Sequence, residues 1–258
     1  MPVIALSTEK GGTAKTTTTA ELASCLKRRG LRVLLIDLDQ QRNLSRLLNA
    51  NTGTAGTSIS LFLQTAAAGD IIQHTEQGDI IAAGKNMQVA DIALKDTTGK
   101  EYLLRDGLAD IKKEYDFIII DCPPALGVAT VNALTAADIV IIPIEAAGFS
   151  MDGLDDVMDT IGQVKKYCNQ HLQIGGVLLT RYDVNSNLSR AMVEIAGEVA
   201  EKLGTKLYKT PIRNSVKVRE AQFLKKDLFD YAGTCNPAKD YEAFTDELLQ
   251  DIKKGNRP

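Results

Sequence analysis

Short, almost unbroken apolar runs recur along the chain, and most are followed by a stretch whose apolar residues return every three or four positions. Val3-Ile4-Ala5-Leu6, Arg32 to Asp37, Asp79 to Ala83, Phe117-Ile118-Ile119-Ile120-Asp121, Ile139 to Pro143 and Gly175 to Thr180 are too short for helices and read as buried strands. Helical periodicity covers a segment from near Lys15 to Arg29, closed by Gly30, and then Ile59 to Ala68. It returns from Glu101 through Lys113, with Tyr102, Leu103, Leu108 and Ile111 as the apolar stripe. Further helices are expected at Val128–Ala137, Gly153–Tyr167, Leu188–Leu203 and Pro237–Lys254. Asn49 to Ser58 is rich in Asn, Thr and Gly and predicts a loop, while 84–100 carries no decisive pattern. Strands alternating with helices predict an α/β fold, a doubly wound, mostly parallel sheet with helices on both faces. No repeat, low-complexity tract or linker divides the chain, so residues 1–258 are expected to form one domain.

The first strand-to-helix junction carries chemistry. Ser7-Thr8-Glu9-Lys10-Gly11-Gly12-Thr13-Ala14-Lys15-Thr16-Thr17 places two glycines where the backbone must turn sharply and approach an anion. The following helix points its N-terminal N–H groups at the same spot. Lys15 is placed for the outer phosphates of a nucleotide and the Thr16 hydroxyl for Mg²⁺. The strict pattern G-x-x-x-x-G-K-[ST] is broken at Glu9 and Ala14. If position 14 needs a positive φ, alanine costs roughly 1–2 kcal/mol there.

Two later strands close on carboxylates. Asp37 ends the second, with Asp39 two residues on, and Asp121 ends the fourth, ahead of Cys122-Pro123-Pro124. A right-handed strand–helix–strand unit brings these strand ends to one sheet edge, beside the loop. Asp121 has the form of a Walker B carboxylate in the Mg²⁺ shell. Asp37 and Asp39 alone read equally as turn or capping residues; next to the loop they lie close to the phosphates and the metal.

Composition narrows the field. Net charge is −3, so a nucleic-acid surface would have to be local. Four dispersed cysteines, Cys25, Cys122, Cys168 and Cys235, fit a reducing cytoplasm better than a disulfide framework or zinc site. Two histidines leave little for histidine chemistry. No apolar run reaches the ~18–20 residues of a membrane span, and no signal segment precedes the first strand.

Lys-Gly-Gly-x-x-Lys-Thr-Thr with its second lysine, Lys10, resembles the deviant Walker A motif of the ParA/MinD ATPases. The Asp37-Leu38-Asp39-Gln40-Gln41 and Asp121-Cys122-Pro123-Pro124 segments resemble that family's two switches, Gln40 standing where the family has proline. The resemblance runs from Val3 to about Phe244 and lacks the helix-turn-helix region of larger partition ATPases. It implies ATP and Mg²⁺ bound by Lys10, Gly11, Gly12, Thr13, Ala14, Lys15, Thr16 and Thr17. Asp37 and Asp121 would join Thr16 around the metal, and Asp39 would orient the attacking water. Lys10 would act across an ATP-dependent homodimer.

Between Glu201 and Asp227 the sequence holds eight basic against three acidic residues, an excess of 8 − 3 = 5. Such a run is commonly a solvated face, yet Ile212 to Gln222 resembles the ParA segment whose first residues, Arg213 here, lie near adenine. A following basic residue, Lys217, matches a DNA contact, with Arg219 beside it; another family arginine is Asn185 here. The implied function is a DNA-partitioning ATPase, nucleoid-associated in the cytoplasm, stimulated by a centromere-binding, ParB-like protein. Alternatives are a MinD-like membrane-cycling ATPase and a metabolic ligase of the same fold. The tail carries Asp240, Glu242, Asp246, Glu247 and Asp251, the wrong sign for anionic lipid, and is expected to pack on the sheet without stable membrane association.

Overall fold

The computed structural model describes residues 1–53, 56–85, 87–146 and 152–255. Seven strands join in one sheet, β1 Val3–Leu6, β2 Val33–Asp37, β3 Ile72–Thr75, β4 Gly78–Ile81, β5 Phe117–Asp121, β6 Ile139–Glu145 and β7 Gln173–Thr180, in the order β3-β4-β2-β5-β1-β6-β7. All neighbours pair in parallel except β3 with β4. The helices are α1 Lys15–Arg28, α2 Asn43–Leu47, α3 Ser58–Phe62, α4 Met87–Ala93, α5 Leu103–Gly107, α6 Val128–Ala136, α7 Asp152–Tyr167, α8 Asn187–Lys202, α9 Val216–Phe223, α10 Leu228–Ala232 and α11 Asn236–Gly255.

Period-two alternation splits each strand between two cores. Val3, Ala5, Leu34, Ile36, Ile118 and Ile120 join one apolar cluster with residues of α6, α7 and α8. Ile4, Leu6, Leu35 and Ile119 join the other, with Leu22 and Leu26 of α1 and Phe244 and Leu248 of α11. Both faces are covered, which is why the strands read as continuous apolar runs. α11 turns its apolar side to the second cluster: Leu249 and Ile252 are partly buried against it, and Tyr241, Phe244 and Leu248 are at most 1% exposed. Each such side chain contributes roughly 1.5–3 kcal/mol of burial.

Beyond β7 the chain returns alongside it. Val177 N donates to Lys206 O, Tyr208 N to Val177 O and Ile212 N to Leu179 O at 2.8–2.9 Å.

Four expectations are corrected. The helix expected from Glu101 through Lys113 is broken into a 3₁₀ turn at Lys100–Tyr102, α5, and another 3₁₀ turn at Lys112–Glu114. Of the expected stripe Leu108 and Ile111 are buried at 2% and 5% exposed while Tyr102 and Leu103 are half-buried, and Leu104, outside that stripe, is fully buried, so the broken helix turns a different set of residues inward. The helix at 59–68 shrinks to α3, because Gln64 turns to φ +54 after it. β3 forms as an antiparallel edge strand where no strand was expected, its sequence Ile-Gln-His-Thr lacking a buried run. α4 fills part of 84–100. Residues 54 and 55 of the predicted loop lie outside the described residues.

Candidate nucleotide site

The site is built at the carboxyl ends of β1, β5 and β2. Register sets Leu6 beside Asp121 and Asp121 beside Asp37, so the two carboxylates are neighbours on adjacent strands, next to the loop that leaves β1. That loop, Ser7 to Ala14, turns through Gly12 at φ +86, a backbone angle that favours glycine. A Cβ added at Gly11 or Gly12 would meet no atom within 4 Å, so the loop lines open space. Ala14, the residue before α1, adopts φ +62 and ψ +27. The strain anticipated at an alanine in that position is therefore present. An Ala14→Gly protein should be more stable by about 0.5–1 kcal/mol, the relieved strain less the entropy glycine gains when unfolded. Thermal unfolding should show a rise of about 1–4 °C.

Lys15 is buried, and its ammonium donates to Thr8 O at 2.9 Å and Lys10 O at 3.1 Å. Burial lowers its pKa, against the opposing pull of Asp121. Thr16 Oγ1 donates to Asp121 Oδ2 at 2.7 Å. Asp121 Oδ1 is buried without a partner. Burial, then the charge of Asp37, holds the Asp121 carboxyl well above the usual carboxylate range. Burial likewise lifts Asp37 to about 6.

Asp37 is fully engaged. Oδ1 accepts from Asp39 N at 3.0 Å, and Oδ2 accepts from Ser45 N and Ser45 Oγ at 2.8 and 2.7 Å. Its visible work is to fix the turn that carries Asp39 and to anchor α2. Asp39, 8% exposed, accepts from Gln41 N at 2.9 Å. Lys10 is exposed at the loop's start, and its side chain has no partner among the described residues. Thr13 is buried, with its carbonyl accepting from Thr180 Oγ1 at 3.0 Å. Thr17 Oγ1 accepts from Gln222 Nε2 at 2.7 Å.

These residues border a cavity of about 550 Å³ lined by Gly11, Gly12, Ala14 to Thr17 and Asp39. Gln41 and Pro124 of the two switch-like segments, Gln222 and Lys225 also line it, together with Asn43, Arg46, Arg181 and Phe223, which were not singled out from the sequence. Phe223 stands at 85% exposure on that rim. The readable signal was the pair of helix caps around it: Ser215 Oγ accepts from Lys217 N at 3.2 Å and Asp227 Oδ1 from Phe229 N at 2.8 Å. Arg213 does not line the cavity; its guanidinium is spent on Asp240, at 2.6 Å from Nη2 to Oδ1 and 2.9 Å from Nε to Oδ2. The donor set otherwise fits a nucleotide with a divalent cation: open backbone N–H groups, a buried ammonium, a hydroxyl, and a buried carboxylate oxygen lacking a partner.

The basic stretch is less basic in three dimensions than along the chain. Lys206 pairs with Glu247 and Asp251, Arg213 with Asp240, and Lys217 with Glu220. Three of those four partners come from α11. Lys202, Lys209, Arg219, Lys225 and Lys226 have no ion-pair partner among the described residues. Lys217 and Arg219, two apart on α9, project from opposite sides of it.

A profile of the family described as an AAA domain matches residues 1–174. The chain is 38% identical over 232 residues to the sporulation initiation inhibitor protein Soj of Bacillus subtilis, covering 89% of this chain and 90% of that protein. It is 36% identical over 252 residues to the chromosome partitioning protein ParA of Caulobacter vibrioides, covering 96% and 93%. Among solved structures, cobyrinic acid a,c-diamide synthase from Mycobacterium smegmatis with bound ADP and magnesium superposes with a TM-score of 0.86 at 31% identity, covering 99% of this chain and 97% of that one.

Proposed function

The chain belongs to the ParA/Soj family of partition ATPases, and from that premise we propose an ATP-driven DNA-partitioning switch. Two copies close face to face over two nucleotides, bind DNA without sequence preference, and hydrolyse ATP when a ParB-like protein engages them. The observation that carries this reading is the partnerless Asp121 Oδ1 beside the Thr16 hydroxyl, at the mouth of an open phosphate-binding loop. ATP supplies the phosphoryl group, and Mg²⁺ the charge that offsets it.

In this reading Lys15 exchanges its two loop carbonyls for the β- and γ-phosphate oxygens. Thr16 and Asp121 would hold Mg²⁺, which would offset phosphate charge there, with Asp37 behind them keeping the Asp39 turn in place. Asp39 orients the attacking water and takes its proton. Backbone N–H groups from Gly11 to Thr17 cradle the phosphates. The base side falls to Gln222 and Phe223 in place of Arg213, since an exposed aromatic ring on the rim offers a stacking face.

Lys10 has a different task. Lys15 already serves the phosphates within its own protomer, and Lys10, exposed and free of partners, is placed to reach the nucleotide of the opposite one. Charge-assisted bonds of this kind contribute roughly 1.5–3 kcal/mol each, enough to couple ATP occupancy to dimerisation. A Lys10→Ala protein should bind ATP as a monomer and lose dimerisation, hydrolysis and DNA binding together. Light scattering in ATP tests it, and an ATP-dimer of undiminished affinity would remove the trans role.

DNA contacts are assigned to Lys217 and Arg219, with Lys225 and Lys226 at the far end of α9 extending the surface. Replacing Lys217 and Arg219 by alanine should weaken binding about equally for all sequences. It should lower the salt slope by roughly 0.9 per lost phosphate contact, with Arg219 contributing more because Glu220 offsets Lys217. Salt dependence equal to that of the unaltered chain would mean a merely solvated face.

The MinD-like alternative needs an apolar tail face free to meet lipid. α11 has already buried its own, and among the described residues no helix is long and apolar enough to cross a membrane. The likeness to a protein named as a diamide synthase motivates one further reading, a ligase that spends ATP on a carboxylate. Co-sedimentation with DNA and with anionic liposomes, each in ATP and in ADP, separates these: ATP-dependent pelleting with DNA alone is the expected result.

A further inference from the structure

One buried carboxyl on α1 has no part in phosphate chemistry. Glu21 is 5% exposed, and its Oε2 has no hydrogen-bond partner. It borders a cavity of about 20 Å³ whose other polar lining is Ser24, Gln77, Lys226 and Asp227, the remaining half being alanine and leucine side chains, room for about one water-sized particle. Oxygens gather there. Asp227 Oδ2 accepts from Ser24 Oγ. The Gln77 amide nitrogen is committed to Leu47 O at 3.0 Å and Lys225 O at 2.7 Å, which leaves its amide oxygen without a protein partner among the described residues.

Two carboxylates, a hydroxyl and an amide oxygen are hard donors, suited to hard cations. Only two of these donors are carboxylates, and among the described residues no cluster of three or more His, Cys, Asp or Glu able to hold a metal ion is found, so a site here would depend on neutral oxygens as well. Burial first, and then the charge of Asp227, hold the Glu21 carboxyl well above its usual range. Asp227, Lys226, Cys25, Tyr241 and Lys27, whose ammonium donates to Gln77 O, are the other titratable groups near it. Burial on this scale favours a neutral Glu21 unless a cation takes the place of its proton.

We propose that this cavity binds one monovalent alkali cation, Na⁺ or K⁺, through Glu21, Asp227, Ser24 and Gln77. The ion would tie α1 to the β3–β4 turn and to the N-terminus of α10. It would thereby steady the preceding segment, whose Gln222 bonds Thr17 and whose Phe223 and Lys225 wall the nucleotide cavity.

Thermal unfolding of the full-length, nucleotide-free chain tests this at pH 8, where protons compete least. Choline chloride is replaced stepwise by NaCl or KCl at constant ionic strength, with CaCl₂ and MgCl₂ as separate arms. The midpoint should rise saturably by about 2–4 °C in an alkali salt, and Glu21→Gln should lose that increment. Ser24→Ala, which keeps both carboxylates, should weaken the apparent affinity several-fold and serves alone if Glu21→Gln does not fold. Equal midpoints in choline and alkali salts, a response retained in Glu21→Gln, or an unchanged affinity in Ser24→Ala overturns the site. A response to Ca²⁺ or Mg²⁺ alone overturns the monovalent assignment.

Discussion

A Lys15→Ala protein is expected to bind ATP at least about 100-fold more weakly than the unaltered chain, because two charge-assisted bonds at roughly 1.5–3 kcal/mol each disappear. The ammonium does more than meet the phosphates. Buried and bonded to Thr8 O and Lys10 O, it is the centre around which the loop closes. It is also a positive charge beside the buried Asp121. Removing it leaves two carbonyls without a donor and two neighbouring carboxylates without a counter-charge, so some stability should go as well. Calorimetric titration with ATP, with the unfolding midpoint measured in parallel, separates the losses. Unaltered affinity in a folded Lys15→Ala protein would take the loop out of the mechanism.

Asp39→Ala should separate binding from chemistry. Among the described residues Asp39 makes no hydrogen bond to the phosphate loop; its carboxylate accepts from Gln41 N, and its own N–H is held by Asp37. ATP affinity and dimerisation should stay within a few-fold, while hydrolysis falls about 10²–10⁴-fold, the usual contribution of a positioned acid–base group. Asp39→Asn controls for the turn, since it can still accept from Gln41 N yet cannot take a proton. Both variants should be equally inactive. Near-normal turnover in either would mean that another group handles the water.

Six of the seven strands, the loop and the three strand-end or switch carboxylates were legible because each rests on a local pattern: an apolar run, a glycine pair, an acid at or just after the end of a strand. What escaped was set by tertiary partners. Nothing in the sequence near Arg213 announces Asp240, 27 residues later, which holds its guanidinium outside the lining of the cavity. The charge excess between Glu201 and Asp227 was counted correctly, but α11 brings Asp240, Glu247 and Asp251 against it. Ser45 is a mid-helix serine to any pattern reading; only the fold shows that it fastens Asp37 from below. The break of the 101–113 helix follows the same logic, since α3 and α6 bury its apolar residues without requiring an unbroken axis.

The strip from Lys206 to Ile212 that runs along β7 has a bearing on how copies of this chain can meet. An edge strand normally offers its unpaired main chain as a template for another molecule. Here one margin of the sheet is already occupied by the protein's own backbone, through Val177, Tyr208 and Ile212. The opposite margin is β3, only four residues long. Neither border invites a seamless extension from molecule to molecule. The proposed dimer would then have to form through the loops and side chains at the carboxyl ends of the strands, where its strength could follow what those loops hold.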